Sequence, residues 1–484
     1  MNQSMHLPLA TNAPKQAPFG LLVMTALAVL VSGCAVGPSY QRPSTPEASA
    51  FKEAGEWIPA VPADALERGP WWSLFGDPVL DQLAARVEVS NQNVALAVGA
   101  YAQARAVVRE QRASLFPSVS LDGGATRSGS SGSSATGTTG RTGNNFQVSL
   151  GGSWEPDVWG RLGRAADSAS AGAQASAADL ASAKLSAQGE LAVNYFSLRQ
   201  TDAQNALLES TIAGYTRALE ITQNRYNAGI VARTDLLQAQ SQLASSKADQ
   251  AGLQRTRAQF EHAIAVLVGE APGNFSLRPL PVWVPVVPPV PVGVPSTLLQ
   301  RRPDIAAAER RVASANEQIG IAQTAYYPNI SLNASVGSSA SKVADLFRAS
   351  SGIWSLGLSA AQLLFDAGAI GARVDGARAG QAQAVARYRQ TVLAAFQDVE
   401  DQLSATRVLQ IQQELRRQAS EAAGLVEQQV LNRYRSGQVG YTEVITAQTT
   451  ALGARRALAQ ATADRQTTAV ALIQALGGGW QGGQ

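Results

Sequence analysis

The chain of 484 residues is poor in the side chains that carry chemistry. It has one cysteine, Cys34, so no disulfide can form within a chain and a disulfide scaffold is excluded. Of its two histidines, His6 and His262, only the second follows Cys34, and all three methionines, Met1, Met5 and Met24, precede it. No His/Cys cluster has metal-ligand spacing, and no GxxxxGK[ST] phosphate loop occurs. Charged residues make up 15%, against a usual quarter, and the net charge of +3 includes no Lys/Arg block suited to nucleic acid. After Cys34 no apolar run reaches 18 residues, so no helix there spans a bilayer. One enzyme-like pattern exists, the S-x-x-K spacing of Ser339 to Lys342, but neither S-D-N nor K-T-G accompanies it. These absences argue against an enzyme and imply no cofactor and no metal.

The lone cysteine has a distinctive setting. Lys15 is followed by an apolar run from Phe19 to Val31, too short to span comfortably and ending in small residues. That is the layout of a secretory signal peptide, expected over 1–33. Val31-Ser32-Gly33-Cys34 resembles the bacterial lipobox, which implies lipid attachment at Cys34. Each buried acyl methylene contributes about 0.8 kcal/mol, and two or more chains anchor stably. Ala35 rather than Asp after the cysteine favours, by resemblance to sorted lipoproteins, the outer membrane. A lipidated linker is expected over 34–76.

Beyond it the chain is duplicated. RYNAGIVARTDLLQAQSQL (225–243) matches RYRSGQVGYTEVITAQTTA (433–451) in seven of nineteen positions, at an offset of 208. Pro117 matches Pro328 at 211, and Asp157 matches Asp366 at 209. Three landmarks in one order mean two copies of a unit of about 200 residues, a duplicated domain rather than a solenoid. The repeats are expected over 77–276 and 304–477, with a tail over 478–484. Between them, 277–303 carries eight prolines from Pro279 to Pro303, which forbid helix and predict an extended connector.

Inside each repeat the hydrophobic period changes. Asp77 to Phe116 reads as helix and stops at Pro117. Period two follows: Val119, Leu121 and Ala125, then Phe146, Val148, Leu150 and Trp154, alternate with Ser, Gln, Asp and Glu. Ile330, Leu332, Ala334 and Val336, then Trp354, Leu356, Leu358 and Ala360, do so in the second repeat. This predicts strand pairs at 117–126/146–155 and 328–337/353–365. The Ser/Gly/Thr segment 127–144 reads as an external loop. Long helices are expected over 161–227, 234–268, 370–435 and 441–476. A proline-free stretch such as 161–227 would reach roughly 100 Å as one helix. Sevenfold spacing at Val385, Val392 and Val399, and at Phe396 and Leu403, indicates coiled-coil packing.

A strand of about ten residues with one apolar face suits a bilayer crossing. In hydrocarbon every peptide group needs an internal partner, so strands cross only as closed barrels. The smallest bacterial barrels have about eight strands, so four must close with other copies of the chain: two would supply eight, three twelve.

GPWWSLFGDPVLDQL (69–83), VGVPSTLLQRRPDIAAAERRV (292–312), AYYPNISL (325–332) and ALGGGW (475–480) resemble the TolC-type outer membrane efflux factors. The resemblance covers nearly all of the chain after Cys34 and is greatest to their lipoprotein subgroup, which serves resistance-nodulation-division pumps. It implies a mixed α and β fold: a homotrimer with an outer membrane β-barrel, four strands per chain, continuous with a periplasmic α-helical barrel. The implied function is a passive exit duct for drugs or other small toxic compounds, fed by an inner membrane pump through a periplasmic adaptor. By resemblance the turns 227–233 and 435–441 are the periplasmic tips, with Gly229, Arg233, Gly437 and Tyr441 at the adaptor-docking end. The pore entrance is expected at Asp235, Gln238, Glu443 and Thr446. Thr446 stands where many relatives carry Asp, so an acidic gate would fall to Glu443. A plainer reading caps the returning helices with Thr234 and Thr442, the acids merely offsetting the macrodipole.

Val119, Leu121, Val148, Leu150, Trp154, Ile330, Leu332, Leu356 and Leu358 are expected to face lipid. Trp154 could join an interfacial girdle, while Trp71 and Trp72 should pack the linker onto helices. Alternatives are a duct for polypeptides or metal ions, a coiled-coil spacer lipoprotein without a pore, and an acylated surface enzyme. Cys34→Ala should release the tether and still leave assembled, membrane-associated protein, measured by fractionation and native mass; a wholly soluble monomer would count against the barrel.

Overall fold

Among the described residues the helices and strands are, in chain order, α1 (Pro78–Ser90), α2 (Gln92–Ala113), β1 (Ser118–Ser130), β2 (Arg141–Trp154), α3 (Arg161–Asn227), α4 (Arg233–Leu267), α5 (Pro303–Thr324), β3 (Asn329–Ala340), β4 (Gly352–Ala361), α6 (Ala369–Arg435) and α7 (Tyr441–Ala475). The computed structural model describes residues 36–45, 51–53, 70–130, 141–288 and 302–478. Cys34, the signal segment, part of the linker, loop residues 131–140, connector residues 289–301 and the end of the tail lie outside these. Among the described residues no helix is long and apolar enough to cross a membrane.

The chain divides into two units. The first comprises the N-terminal residues to Tyr40, Arg109–Ser168 and Asn316–Ala379. Its sheet has the order β1-β2-β3-β4, every neighbour antiparallel. The expected loop 127–144 is shorter than composition suggested: Arg127 pairs with Asn144 and Ser130 with Arg141. A ladder is made of backbone, so Gly, Ser and Thr extend it without a core to bury. At the other end, pairing stops at Asn329 opposite Ala361, short of the expected 365. Pro328 has no N–H with which to continue.

Each strand pair turns into its long helix through an aspartate. The Asp157 carboxylate accepts from the Leu162 and Gly163 amides (2.9 and 2.6 Å). Asp366 accepts from Gly368 and Ile370 (2.9 and 2.6 Å), and these bonds, Ile370 first, hold its carboxyl below the usual range. The duplicated aspartates are thus helix caps. A strap at Val36–Pro38 crosses this unit: Val36 N–H donates to the Trp159 carbonyl (3.2 Å), and Arg164, paired with Glu317 (2.6 Å), donates to the Pro38 carbonyl (3.3 Å). Gly37, at φ +117°, lies so close to the opposing chain that a Cβ would sit 2.6 Å from the Gly320 Cα.

The second unit comprises Gln41–Val108, Ala169–Ala315 and Gly380–Gln484. Its core gathers Trp71, Trp72, Phe75, Leu80, Leu191, Tyr195, Phe196, Val399, Leu403 and Ile473. Fully burying each large apolar side chain contributes roughly 1.5–3 kcal/mol. Trp71 and Trp72 begin a short 3-10 turn, Trp71–Phe75, and Trp71 Nε1 donates to Gln188 Oε1 (3.3 Å). The heptad residues Val392, Val399 and Leu403 are fully buried.

The helix expected from Asp77 to Phe116 is two helices. Asp77 is the N-cap of α1, and Asn91 interrupts at φ −69°, ψ 127°. Asn91 Oδ1 accepts from the Asn93 and Val94 amides (2.9 and 3.1 Å), and its Nδ2 donates to the Leu267 carbonyl (2.8 Å). A buried asparagine that caps one helix and ties down the end of another outweighs helical continuity. Asn91→Ala should lower stability by about 1–2 kcal/mol, read as an earlier denaturant midpoint, because it orphans a buried carbonyl and removes a cap.

Candidate functional site

Two features of the described residues stand out, one in each unit. The first is the sheet's apolar face. Directly opposite residues share a face, and Leu121–Leu150–Val336–Trp354 forms one row across all four strands. Val119–Gly152–Ala334–Leu356 forms the next, and Trp154–Leu332–Leu358 the one beyond. Val119, Leu121, Leu150, Trp154, Leu356 and Leu358 are exposed, Trp354 to 80%, while Val148, Ile330 and Leu332 are half-buried. Monomeric soluble proteins rarely expose large contiguous apolar faces. The band has limits: Ala125–Phe146 is its last apolar pair, and Arg127–Asn144 continues the face with polar residues. At its other end Trp154 Nε1 donates to the Leu115 carbonyl (3.0 Å), an amphipathic ring with a satisfied polar tip.

The opposite face is hydroxylic. Ser331 meets Ser359 (2.7 Å), Ser335 meets Ser355 (2.8 Å), and Ser339 donates to Asn145 (2.7 Å). β1 and β4 each have one strand neighbour, so one row of peptide groups on each is left open at the sheet edge.

The second feature is the helical tip. α3 ends at Gly229, at φ +73°, with Gly229 N–H donating to Tyr226 and Ile230 N–H to Arg225 (both 2.9 Å). α6 ends alike at Gly437, at φ +76°, with Gly437 donating to Tyr434 and Gln438 to Arg433 (both 2.9 Å). These paired six-to-one and five-to-two bonds require a left-handed residue, which glycine adopts without a Cβ clash. The returning helices are not capped by threonine: Ala232 and Gly440 hold the N-cap positions without side-chain bonds. Thr442 instead donates to Gln238 Oε1 (3.3 Å), and Thr446 to the Thr442 carbonyl (3.0 Å). Asp235 and Glu443 do lie in first turns, where a carboxylate offsets the macrodipole.

The tip contains residues that the sequence reading passed over. They are Tyr434, Val444 and Ala239, which with Tyr441 form a buried cluster that joins the two hairpins. The Arg225 guanidinium lies 4.8 Å from the Tyr434 ring centre and reaches the Tyr434 and Arg435 carbonyls at the end of α6 (3.5 and 3.4 Å). A cation there satisfies orphan carbonyls and the negative helix end together. The repeated Arg-Tyr at 225–226 and 433–434 was the available signal. Burial first, then Tyr434, pushes the Tyr441 hydroxyl up to about 12. Tyr441 is 2% exposed, which corrects its expected place on the docking surface; Gly229, Arg233 and Gly437 are exposed. Glu443 and Thr446 line an open groove between α6 and α7, whereas Asp235 and Gln238 belong to the other hairpin.

The family model for outer membrane efflux proteins matches residues 79–270 and 294–478. The toluene efflux pump outer membrane protein TtgC of Pseudomonas putida is 31% identical over 463 residues, 95% of this chain and 96% of that protein. The cation efflux system protein CusC of Escherichia coli is 28% identical over 468 residues, 95% of this chain and 99% of its own. Among solved structures, the outer-membrane channel OprN superposes with a TM-score of 0.84 at 30% identity, covering 92% of this chain and all of that one. Arg225→Ala should speed amide exchange at Gly437 and Gln438 roughly tenfold, since a cation over an aromatic ring contributes about 0.5–2 kcal/mol; unchanged exchange would assign the order of the tip to apolar contact alone.

Proposed function

Because this chain belongs to the outer membrane efflux protein family, we propose that it is the outer membrane exit duct of a tripartite efflux system. It conducts passively what an inner membrane pump delivers through a periplasmic adaptor. The observation that carries the reading is the four-stranded sheet, apolar on one face, hydroxylic on the other and open at both edges. Three chains supply twelve strands, which closes every edge and turns the apolar face to lipid. The expected lipid-facing residues of β2, Val148, Leu150 and Trp154, then share the outer face with Phe146 on alternate positions of a stretch nine residues long, Phe146 to Trp154, about the length that spans hydrocarbon.

The serine, glycine and asparagine face lines the lumen. Neutral hydroxyls suit many cargoes and select few, so substrate choice rests with the pump. Small organic compounds are the proposed cargo, as the name of TtgC implies for that protein. No cysteine or methionine follows Cys34 to hand on soft metal ions. Acyl chains on Cys34 add a tether in the same membrane. Glu443, with Thr446 in the acid's usual place, is the proposed charge of the periplasmic entrance, repeated by symmetry into a ring.

Purified protein should conduct in planar bilayers, with cation preference reduced in Glu443→Gln. A spacer without a pore would give no conductance, and an unchanged reversal potential in a salt gradient would leave Glu443 only its dipole role.

A further inference from the structure

The loop between β3 and β4, residues 341–351, is ordered by two short 3-10 turns, Val343–Asp345 and Ala349–Ser351. Strand register decides which side of the sheet it occupies. Gly123–Val148–Ser338–Gly352 is a row of the apolar face, two residues along from Leu121–Leu150–Val336–Trp354. Ser338 therefore stands on the apolar side, and its hydroxyl meets the carbonyls of Leu346 and of Ser351, the second at 3.1 Å. Ser351 in turn donates to the Asp345 carbonyl (2.8 Å). The loop is thus folded back over the apolar side and not across the hydroxylic one. Burial agrees: Leu346 is 6% exposed, and Phe146 and Val148 are half-buried, while Leu121 and Leu150 further along the same face are exposed. What this fold leaves outermost is mixed in character. Phe347 is 85% exposed, and Val343, Lys342 and Arg348 are exposed beside it. Arg127 lies on the same face, one row beyond Ala125–Phe146. Asp345, paired with Arg348 (3.1 Å), is the only acid in 123–147 and 336–352, against Arg127, Arg141, Lys342 and Arg348.

We propose that this loop is a docking site for a phosphate-bearing lipid of the membrane leaflet remote from the helices, with Phe347 and Val343 against its acyl chains and Lys342 and Arg348 on its phosphates. The inference rests on the duct reading above, which puts the apolar face in lipid. β3 enters from α5 and β4 returns to α6, so the loop lies at the end of the sheet away from the helices, which in that reading is the outer surface of the membrane. Continuity and charge select the occupant. Phe347 and Val343 extend the lipid-facing side past its last apolar pair, Ala125–Phe146, so acyl chains reach them without leaving the bilayer. Above that band the excess of cations over Asp345 attracts an anionic head, while a zwitterionic head meets no net pull. A guanidinium fork matches phosphate oxygens in pairs, and an ammonium adds a point charge. The exposed Arg348–Asp345 pair is worth little by itself, so a phosphate can share Arg348 at small cost. Oligomeric symmetry repeats the site around the outer mouth, and the loop leaves the hydroxylic face clear.

The test titrates the full chain, in a neutral detergent, with lipid A (a phosphorylated, acylated disaccharide) and with the same lipid after its phosphates are removed. Native mass reports bound lipid and copy number together. The unsubstituted chain should bind lipid A more tightly than the phosphate-free form, and that preference should shrink as salt rises. Lys342→Gln/Arg348→Gln should weaken lipid A binding by roughly fivefold for each cation removed and leave the phosphate-free lipid unaffected. Lys342→Arg/Arg348→Lys, which keeps both charges, should retain most of the binding. Phe347→Ser should weaken both lipids at normal copy number. In an oligomer of normal copy number, equal binding of the two lipids, or lipid A binding that Lys342→Gln/Arg348→Gln leaves unchanged, overturns the site and spares the duct. A drop in copy number for Phe347→Ser, with lipid binding per chain unchanged, gives the loop to a neighbouring copy and also overturns the site. An unsubstituted chain that does not assemble overturns the duct reading and this inference together.

Discussion

A peptide group in hydrocarbon has no solvent to bond with, and leaving it unpaired costs several kcal/mol. That constraint decides what this chain can be. Its sheet exposes a level apolar band to one side and leaves a row of peptide groups open on each outer strand. In water the band is a liability; in lipid the open edges are. Neither state is tolerable for one chain alone. Pairing edge to edge with further copies satisfies both demands, and it encloses the hydroxylic face as a passage.

The second unit meets a different demand. Helices of 67 residues carry little hydrophobic amphipathicity averaged over their length, so their order comes from local seams. Val399 and Leu403 belong to one such seam, with the Trp71–Phe75 turn and Tyr195–Phe196 packed into the same cluster. Buried charge is used sparingly: Asp202 takes Arg199 and Arg257 (3.2 and 2.7 Å) and the Leu280 amide (3.1 Å), fastening the start of the proline connector. At the tip, apolar rings and one guanidinium do the joining, and few hydrogen bonds would have to break for hairpins to part.

Much of this was legible in residue order. Period two gave the strands because each presents one face to one environment, and an uninterrupted run without proline gave the 161–227 stretch as one helix. Most of what escaped depended on partners distant in sequence, and the rest on where the backbone turns. Asn91 looks like an ordinary helix residue until Leu267 is seen beside it. Thr234 and Thr442 look like caps, yet the chain turns earlier, at Ala232 and Gly440. Tyr441 looks like a surface aromatic at a turn, and only the other hairpin explains its burial. The strand ends were set by pairing, through Pro328 on one side and a glycine-rich ladder on the other, which composition does not encode.

The most direct measurement is amide hydrogen exchange of the protein in lipid nanodiscs, resolved for β1 and β4. If copies close the sheet, edge amides in Ser118–Ala125 and Gly352–Ala361 are protected to the same degree as those of β2 and β3. Fast exchange at alternate residues of either edge strand, with β2 and β3 protected, would mean that the edges stay open and no barrel forms.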